Sequence, residues 1–337
     1  MRRRSGFGVV LAALVVLVAT ACGGVSDSGT AGAGNSTKLT LVAYSTPKEA
    51  YEALIPAFQK TTAGKGVSFD QSYASSGEQS RAVEAGLPAD VVEFSLEPDM
   101  TRLVDAGIVD TNWNSNQYKG MVTDSVVVFV VRKGNPEGIK TWDDLVKPGI
   151  EVITPNPFTS GGARWNLMAA YGAQIEEGKT EQEALDYLRQ LLSQTPVQDK
   201  SAREALQTFV GGKGDVMLAY ENEAITAQRE GEDVDYVVPD QTILIENPVA
   251  VTKDAPPAAQ AFVDFLLSDE GQKIFAAKGY RPVDENALAG TSFPNPPGLF
   301  TIEKFGGWAT VKDKFFDPDN GLVAKIEQGL GVSTDSG

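Results

Sequence analysis

The feature that most constrains the fold is an alternation of short apolar runs and longer amphipathic runs between residues 38 and 280. Runs such as 38–45 and 124–134 have the composition of buried strands, whereas 47–61 and 180–193 have helical periodicity. This alternation is typical of βαβ units, in which helices cover a largely parallel sheet. The chain has 337 residues, too many for one small core, so its length favours two α/β lobes.

The first 22 residues form a separate segment. Three arginines at 2–4 precede an apolar run at 9–18, and small residues follow this run. That order is the pattern of an export signal, and the apolar run is short for a membrane-spanning helix. We therefore expect the mature protein to be exported.

Cys22 is the only cysteine, so a disulfide cannot form within the chain. Its position directly after Ala21 resembles the lipobox of bacterial lipoproteins, although leucine is usual where this chain has Ala19. We expect residues 1–22 to be a lipoprotein signal peptide and Cys22 to be lipidated. The lipid would anchor the protein at the outer face of the cytoplasmic membrane. Cleavage near Ala21 without lipidation is the alternative.

Residues 23–37 are rich in glycine, serine, threonine and alanine, which predicts a flexible tether. Without residues 1–22 the chain has 26 Lys and Arg against 45 Asp and Glu, a net charge of −19. This charge argues against nucleic acid or an anionic membrane surface as the partner.

The chain contains no histidine. This removes Ser-His and Cys-His nucleophile chemistry and the usual zinc ligands. Hydrolysis by a pair of carboxylates remains possible on composition alone. We expect no metal ion and no cofactor.

Four predicted helices begin at a hydroxyl residue: Thr46, Ser76, Ser160 and Ser201. Three of them have Glu or Gln three positions later, which predicts capping boxes. Ser160 is instead followed by Gly161 and Gly162. One interpretation is that these hydroxyls only start helices. The other is an anion site, because helix N-termini at the carboxyl ends of strands offer free N–H groups and a positive dipole end. In that case the two glycines let backbone approach the ligand closely.

The motifs around these helix starts resemble the sulfate-binding proteins of bacterial ABC importers. The matching segments are AYSTPKEAYE, QSYASSGEQSRAVEAGLPADVV, GIKTWDDLVKPGIEVITPNPFTSGGARWN and GDVMLAYENEA, and the resemblance covers about residues 38–285. It implies an α/β, two-lobed periplasmic-binding-protein-like fold of type II, hinged by crossover strands. We expect lobe 1 to take 38–123 plus 251–330 and lobe 2 to take 124–250.

The resemblance also implies a set of ligand-binding residues: Ser45, Ser76, Ser160, Gly161, Gly162, Ala202 and Tyr220. It assigns a hydroxyl to Ser160 and backbone N–H groups to Ser45, Gly161, Gly162 and Ala202. Tyr220 stands where better-known members carry tryptophan. Because a phenol accepts as well as donates, it weakens the exclusion of a protonated anion.

The implied function is capture of sulfate by a monomeric lipoprotein, which delivers it to an ABC permease without catalysis. A site of donors alone suits sulfate, which has no proton to give, and leaves the proton of phosphate unpaired. Thiosulfate, molybdate or tungstate is the alternative ligand. More distant alternatives are an exported carboxylate-pair hydrolase and a structural surface lipoprotein.

Two expectations concern individual residues near the predicted site. Arg81, Arg164 and Arg203 follow the donor turns, and we expect them to hold these turns rather than to contact the anion. We also expect Gly161→Asp to abolish binding without unfolding the protein.

Overall fold

The protein is described here by a computed structural model, which covers residues 37–335. Cys22, the predicted signal peptide and nearly all of the predicted tether lie outside the described residues. The strands are β1 (Thr37–Tyr44), β2 (Val67–Ala74), β3 (Val91–Glu93), β4 (Met121–Arg132), β5 (Val152–Ile153), β6 (Val216–Tyr220), β7 (Val234–Val237), β8 (Gln241–Val251), β9 (Arg281–Pro282) and β10 (Gly298–Phe300). The helices are α1 (Lys48–Lys60), α2 (Ser76–Glu84), α3 (Glu97–Asp105), α4 (Gly161–Glu176), α5 (Glu181–Ser193), α6 (Ala202–Val210), α7 (Glu221–Glu230), α8 (Pro257–Leu266), α9 (Asp269–Ala277), α10 (Glu285–Ala289), α11 (Gly307–Phe316) and α12 (Leu322–Gly329).

The strands form a path in the order β2-β1-β3-β8-β4-β6-β5. The first three are parallel, and β8 enters antiparallel beside β3. The side chains of β1 from Leu41 to Tyr44 are all buried. This is expected for a parallel strand with helices on both faces, and it explains why its sequence is an almost continuous apolar run.

Two long strands, β4 and β8, connect the two groups of shorter strands. The first half of β4 pairs with β8, and its second half pairs with β6 and β7. In turn, β8 pairs with β3 at its carboxyl end. Each of the two strands therefore belongs to both halves of the sheet, as expected of crossover strands at a hinge.

The segment after residue 298 packs on α4 and α5. Trp308 meets Trp165 edge to face with ring centres 4.6 Å apart, and Phe315 meets Tyr171 at 4.9 Å. Gly172 is required in α4 because a Cβ there would collide with the ring of Phe300. These contacts favour placing this segment with the second lobe, not with the first as the sequence suggests. The division into lobes stays a prediction.

The four runs named from the sequence appear in the structure as β1, β4, α1 and α5, with ends that differ by a few residues. The stretch 284–300 contains α10 and β10. Among the helices described between residues 37 and 335, none is both long and apolar enough to cross a membrane.

Candidate anion-binding site

A small cavity of about 10 Å³ lies where several helices begin. All seven residues predicted from the sequence line it: Ser45, Ser76, Ser160, Gly161, Gly162, Ala202 and Tyr220. Four further residues line it that are outside this predicted ligand-binding set: Tyr44, Thr46, Ser75 and Ser95. The fold thus brings together residues that are up to 176 positions apart.

The cavity residues follow the carboxyl ends of strands. Ser45 follows β1, Ser75 follows β2, Ser95 lies two residues after β3, and Tyr220 ends β6. Helices α1, α2, α3 and α7 begin within three residues of these positions. This is the edge at which open α/β sheets place their ligands.

Helices α4 and α6 supply the opposite wall. Gly161 and Ala202 are the first residues of these helices, so their N–H groups have no acceptor within the helix. Ser160 caps α4, and its hydroxyl oxygen accepts from the N–H of Ala163 at 3.4 Å. Since that oxygen acts as the acceptor, its proton is left to donate into the cavity.

Gly161 has no room for a side chain because two neighbouring side chains lie against its backbone. A Cβ at this position would lie 2.7 Å from Ser95 Oγ, 2.8 Å from Ser95 Cβ and 2.9 Å from Leu96 Cδ2. A Cβ at Gly162 would meet its neighbours at 3.5 Å or more, which is ordinary contact. Gly161→Asp would therefore disturb packing as well as the cavity, and Gly162 is the better position at which to test the site.

None of the three predicted capping boxes forms in full, and two of them lack any side-chain cap bond. The N-cap of α1 is Pro47 and that of α2 is Ser75, and neither makes a side-chain cap bond. Ser76 donates its hydroxyl proton to Asp99 Oδ2 at 2.5 Å and accepts from the N–H of Ser95 at 3.0 Å. Because this proton is already used, Ser76 can offer the cavity only its backbone N–H.

The other two predicted N-caps are present. Ser160 caps α4, and Ser201 caps α6 by accepting from the N–H of Glu204 at 3.2 Å. The Glu204 carboxylate does not return the bond to Ser201; it accepts from the N–H of Lys200 at 3.1 Å. The Ser201 motif is therefore an N-cap without the full box.

Tyr220 and Ser95 share a hydrogen bond of 2.6 Å between their hydroxyl oxygens, in which either can donate. The pair has two protons and uses one internally, so one remains to donate into the cavity whichever way the bond runs. Burial raises the pKa of Tyr220, which keeps its proton in place at neutral pH. An aligned pair can also turn an oxygen lone pair towards a ligand, which a tryptophan N–H cannot do.

No carboxylate or cationic side chain lines this cavity among the residues that the structure describes. The acids near it have other partners: Glu221 binds Arg281 at 2.8 Å, and Glu78 accepts from Ser75 Oγ at 3.4 Å. Glu223 lies behind the wall and accepts from Thr46 Oγ1 at 3.4 Å. The cavity is thus surrounded by neutral donors.

The three arginines near the donor turns also lie outside the cavity wall. Arg203 pairs with Glu49 at 2.5 Å, and Arg164 donates to the carbonyl of Pro157 at 2.7 Å. Arg81 and Arg164 line a larger neighbouring groove of about 590 Å³. This placement agrees with the expectation that the arginines hold the loops.

The chain matches a model of bacterial extracellular solute-binding proteins over residues 39–281 and belongs to that family. It is 42% identical to the sulfate-binding protein of Synechococcus elongatus over 95% of both chains. It is 36% identical to the thiosulfate-binding protein of Pseudomonas aeruginosa, over 85% of this chain and 90% of the relative.

A solved structure shows the same fold. The sulfate-binding protein SubI from Mycobacterium tuberculosis matches with a TM-score of 0.81 and 47% identity, over 83% of this chain and all of SubI. The chain therefore belongs, within the extracellular solute-binding proteins, to the group of sulfate- and thiosulfate-binding proteins. The family resemblance and the type II fold predicted from the sequence are confirmed.

Proposed function

We propose that the protein captures sulfate between its two lobes and delivers it to an ABC importer. The observation that carries this proposal is the wall of the small cavity, which combines hydroxyls and helix N-termini and has no charged side chain from residues 37–335. Several aligned N–H dipoles can hold a small dianion without a counter-cation. The sulfate-binding relatives support the same ligand.

The proposed contacts are the seven residues that the sequence singled out. Ser45, Gly161, Gly162 and Ala202 donate backbone N–H groups, as does Ser76. Ser160 donates its hydroxyl, and Tyr220 donates directly or through Ser95. Each donated bond to a charged acceptor contributes about 1.5–3 kcal/mol, so a few of them suffice for tight binding.

Selection against phosphate follows from the proton that phosphate carries and sulfate lacks. Phosphate at neutral pH carries a proton that needs an acceptor, and a donor-only wall leaves it unpaired at a cost of about 1–3 kcal/mol. The Tyr220–Ser95 pair is one place where an acceptor can turn towards the ligand. We therefore propose that sulfate is preferred over phosphate, with a smaller margin than an indole donor at 220 would give.

Calorimetric titration of residues 23–337, stripped of anions by unfolding and refolding, tests the ligand. Sulfate, thiosulfate, phosphate and molybdate are added separately at one pH. We expect sulfate to bind most tightly and phosphate to bind weakly. Preference for thiosulfate or molybdate would keep the site and replace the ligand. Preference for phosphate would contradict a wall made of donors. If none of the four anions gave a heat of binding, the proposal would be overturned.

We propose no enzymatic role. Among residues 37–335, the wall of the cavity offers no carboxylate pair. A coupled assay for release of sulfate from aryl sulfate esters is the check, and turnover would contradict this proposal.

We also propose that Cys22 is lipidated and anchors the mature protein at the outer face of the cytoplasmic membrane. The support is the lipobox-like context of Cys22 and the family's extracellular location. Mass spectrometry of the mature N-terminus tests it. Wild type should carry a diacylglycerol on Cys22, whereas Cys22→Ala should leave the membrane fraction; an unmodified thiol in wild type would contradict the anchor.

The remaining partner is the permease. We propose that the protein acts as a monomer and docks on the membrane subunits of an ABC importer with sulfate bound. Deletion of the gene should abolish growth on sulfate as sole sulfur source at low concentration. Light scattering of the purified protein should give a mass near 35.8 kDa for the full chain. Unimpaired growth would contradict delivery to an importer, and a stable dimer would contradict the monomeric state.

A further inference from the structure

Near the cavity lie four buried oxygen atoms that have no hydrogen-bond partner among the described residues. They are Tyr44 Oη, Tyr280 Oη, Glu93 Oε1 and Glu223 Oε2. Each of these residues is at most 3% exposed. Because buried polar atoms are almost always satisfied, a group of unpartnered oxygens points to something that the protein side chains do not supply.

The four residues form one cluster against the cavity wall. Tyr44 lines the cavity and lies within electrostatic range of the other three residues. Glu223 accepts from Thr46, which also lines the cavity. Glu93 ends β3, two positions before Ser95. An ion in the cavity and a charge in the cluster must therefore interact.

The charges of the cluster do not cancel. Among the described residues, the titratable groups that face Glu93 are neutral phenols: Tyr44, Tyr51, Tyr73 and Tyr280. Tyr51 donates a hydrogen bond to it. Glu223 faces Arg203 from α6, but that guanidinium already pairs with Glu49 from α1.

Fully ionised, the group of Glu49, Glu93, Glu223 and Arg203 carries two net negative charges beside an anion cavity. No group of three or more metal-ligating side chains occurs in residues 37–335. A proton is therefore the ligand that relieves this repulsion with the atoms present.

The acidity of the two carboxyls suits this role. Burial raises the pKa of Glu93 to about 8, opposed by the hydrogen bond from Tyr51. Burial raises the pKa of Glu223 to about 7, opposed mainly by Arg203 and assisted by Glu49. Both groups thus exchange a proton near neutral pH, where a nearby dianion can shift the balance.

We infer that Glu93 and Glu223, with the phenols of Tyr44 and Tyr280, form a proton-binding site that fills when the cavity takes its anion. This inference rests on the proposed function. A proton from the solvent adds to a carboxylate oxygen as the anion enters and leaves as the anion departs, with no other bond made or broken. The new O–H can also donate to one of the unpartnered oxygens. By linkage, anion affinity falls as pH rises through the range in which the carboxyls ionise.

Titration calorimetry of the refolded protein with sulfate tests the coupling. At pH 7.5, measurements in PIPES and in Tris differ in buffer ionisation heat, so the difference in binding enthalpy gives the number of protons taken up. We expect uptake of a substantial fraction of one proton per sulfate. We also expect the Kd to rise with pH between 7 and 8.5, by at most about tenfold per pH unit for each proton taken up.

Variants assign the proton to its site. Glu93→Gln and Glu223→Gln should each retain sulfate binding, reduce the uptake and flatten the pH dependence. Glu327→Gln is the matched control, since Glu327 is also fully buried with a pKa raised by burial, but lies in α12 away from the cavity. It should change neither quantity. If one cluster variant fails to fold, the wild-type uptake and the other variant decide the question.

The outcomes separate the two proposals. Sulfate binding with equal enthalpy in both buffers and a pH-independent Kd would overturn the proton site and leave the proposed function intact. Uptake that persists unchanged in both cluster variants would also overturn it. Absence of sulfate binding at every pH would overturn the proposed function and the coupling together.

Discussion

Two neighbouring concavities share Ser160 and Gly161 but have opposite chemistry. The small cavity is lined by hydroxyls, glycines, an alanine and two phenols. The groove beside it, about 590 Å³ in volume, is lined by both cationic and acidic side chains. Its charged residues are Arg81, Arg102, Arg164, Lys312, Glu84, Glu97, Asp99, Asp105, Asp313, Asp317 and Asp335.

The contrast shows where this acidic protein uses its charges. Asp99 lies in the groove wall, is held among Arg164, Arg102 and Arg81, and accepts the hydroxyl proton of Ser76. The charges of the groove thus orient a residue of the cavity without entering it. Dipoles face the proposed ligand, and ion pairs fix the dipoles in place.

The strongest test of the contrast puts an acid into the neutral cavity. We expect Gly162→Asp to weaken sulfate binding at least about 100-fold, because a buried like charge costs several kcal/mol. The fold should survive, since a Cβ fits at this position. Calorimetry gives the affinity and thermal unfolding the stability. Gly329→Asp adds the same charge at an exposed helix end as the control, and retained sulfate affinity in Gly162→Asp would refute the site.

The next effect concerns the carboxyl behind the cavity. The pKa of Glu93 is about 8 in the folded protein against an ordinary value of 4.5, so the folded state keeps its proton longer than the unfolded state. The contribution of Glu93 to the free energy of unfolding is fully present below pH 4.5 and is lost as pH rises towards 8. At about 1.4 kcal/mol per pKa unit, the loss is on the order of a few kcal/mol.

Glu93→Gln removes this loss, because its amide does not titrate. We expect the variant to gain stability relative to wild type between pH 5 and 8, as measured by urea unfolding. Glu230→Gln, at an exposed position, should track wild type at every pH. A constant difference between Glu93→Gln and wild type would mean that Glu93 is ionised throughout the range.

A smaller effect separates the two functions of a capping hydroxyl. Ser160 and Ser201 both cap a helix, but only Ser160 lines the cavity. Ser160→Ala and Ser201→Ala should each cost about 1 kcal/mol of stability. Only Ser160→Ala should also weaken sulfate binding, by about 10- to 100-fold, because it removes a donor to a charged acceptor. Equal affinity losses in the two variants would show that the hydroxyl acts through the helix alone.

The smallest effect on binding is expected in the groove. Arg164 is half-buried near Asp99 and lies over the ring of Phe316. Arg164→Met should lower the melting temperature while changing the Kd for sulfate by less than about tenfold, since no cation faces the cavity. A loss above 100-fold at unchanged melting temperature would mean that Arg164 contacts the anion. Lys312→Met, at the same groove, is the control for charge alone.

The residues that line the cavity could be predicted from the sequence because the signals that mark them are short. Strand ends, hydroxyl N-caps and the Ser160-Gly161-Gly162 turn are encoded by neighbouring residues, so pattern and resemblance find them together. The family resemblance added Ser45, Ala202 and Tyr220.

What the sequence did not predict depends on distant partners. Ser76 looks like the N-cap of a box, but its hydroxyl goes to Asp99, 23 positions away. Ser95 belongs to no local motif and reaches the cavity because β3 ends there. The packing of α11 on α4 depends on aromatic contacts between residues about 140 positions apart, which no short pattern encodes.

The contact between Gly161 and Ser95 also bears on the size of ion that the protein can enclose. Any added atom at 161 would press on the side chains of Ser95 and Leu96 just after β3, so the start of α4 already touches this segment. The width of the cavity is therefore set by the backbone of α4 meeting these side chains, not by the ion inside. A tetrahedral oxyanion with longer bonds than sulfate, such as molybdate, would have to push α4 away from β3 and loosen this contact. The glycine thus fixes an upper limit on ionic radius, which adds to the selection that the donors impose on protonation.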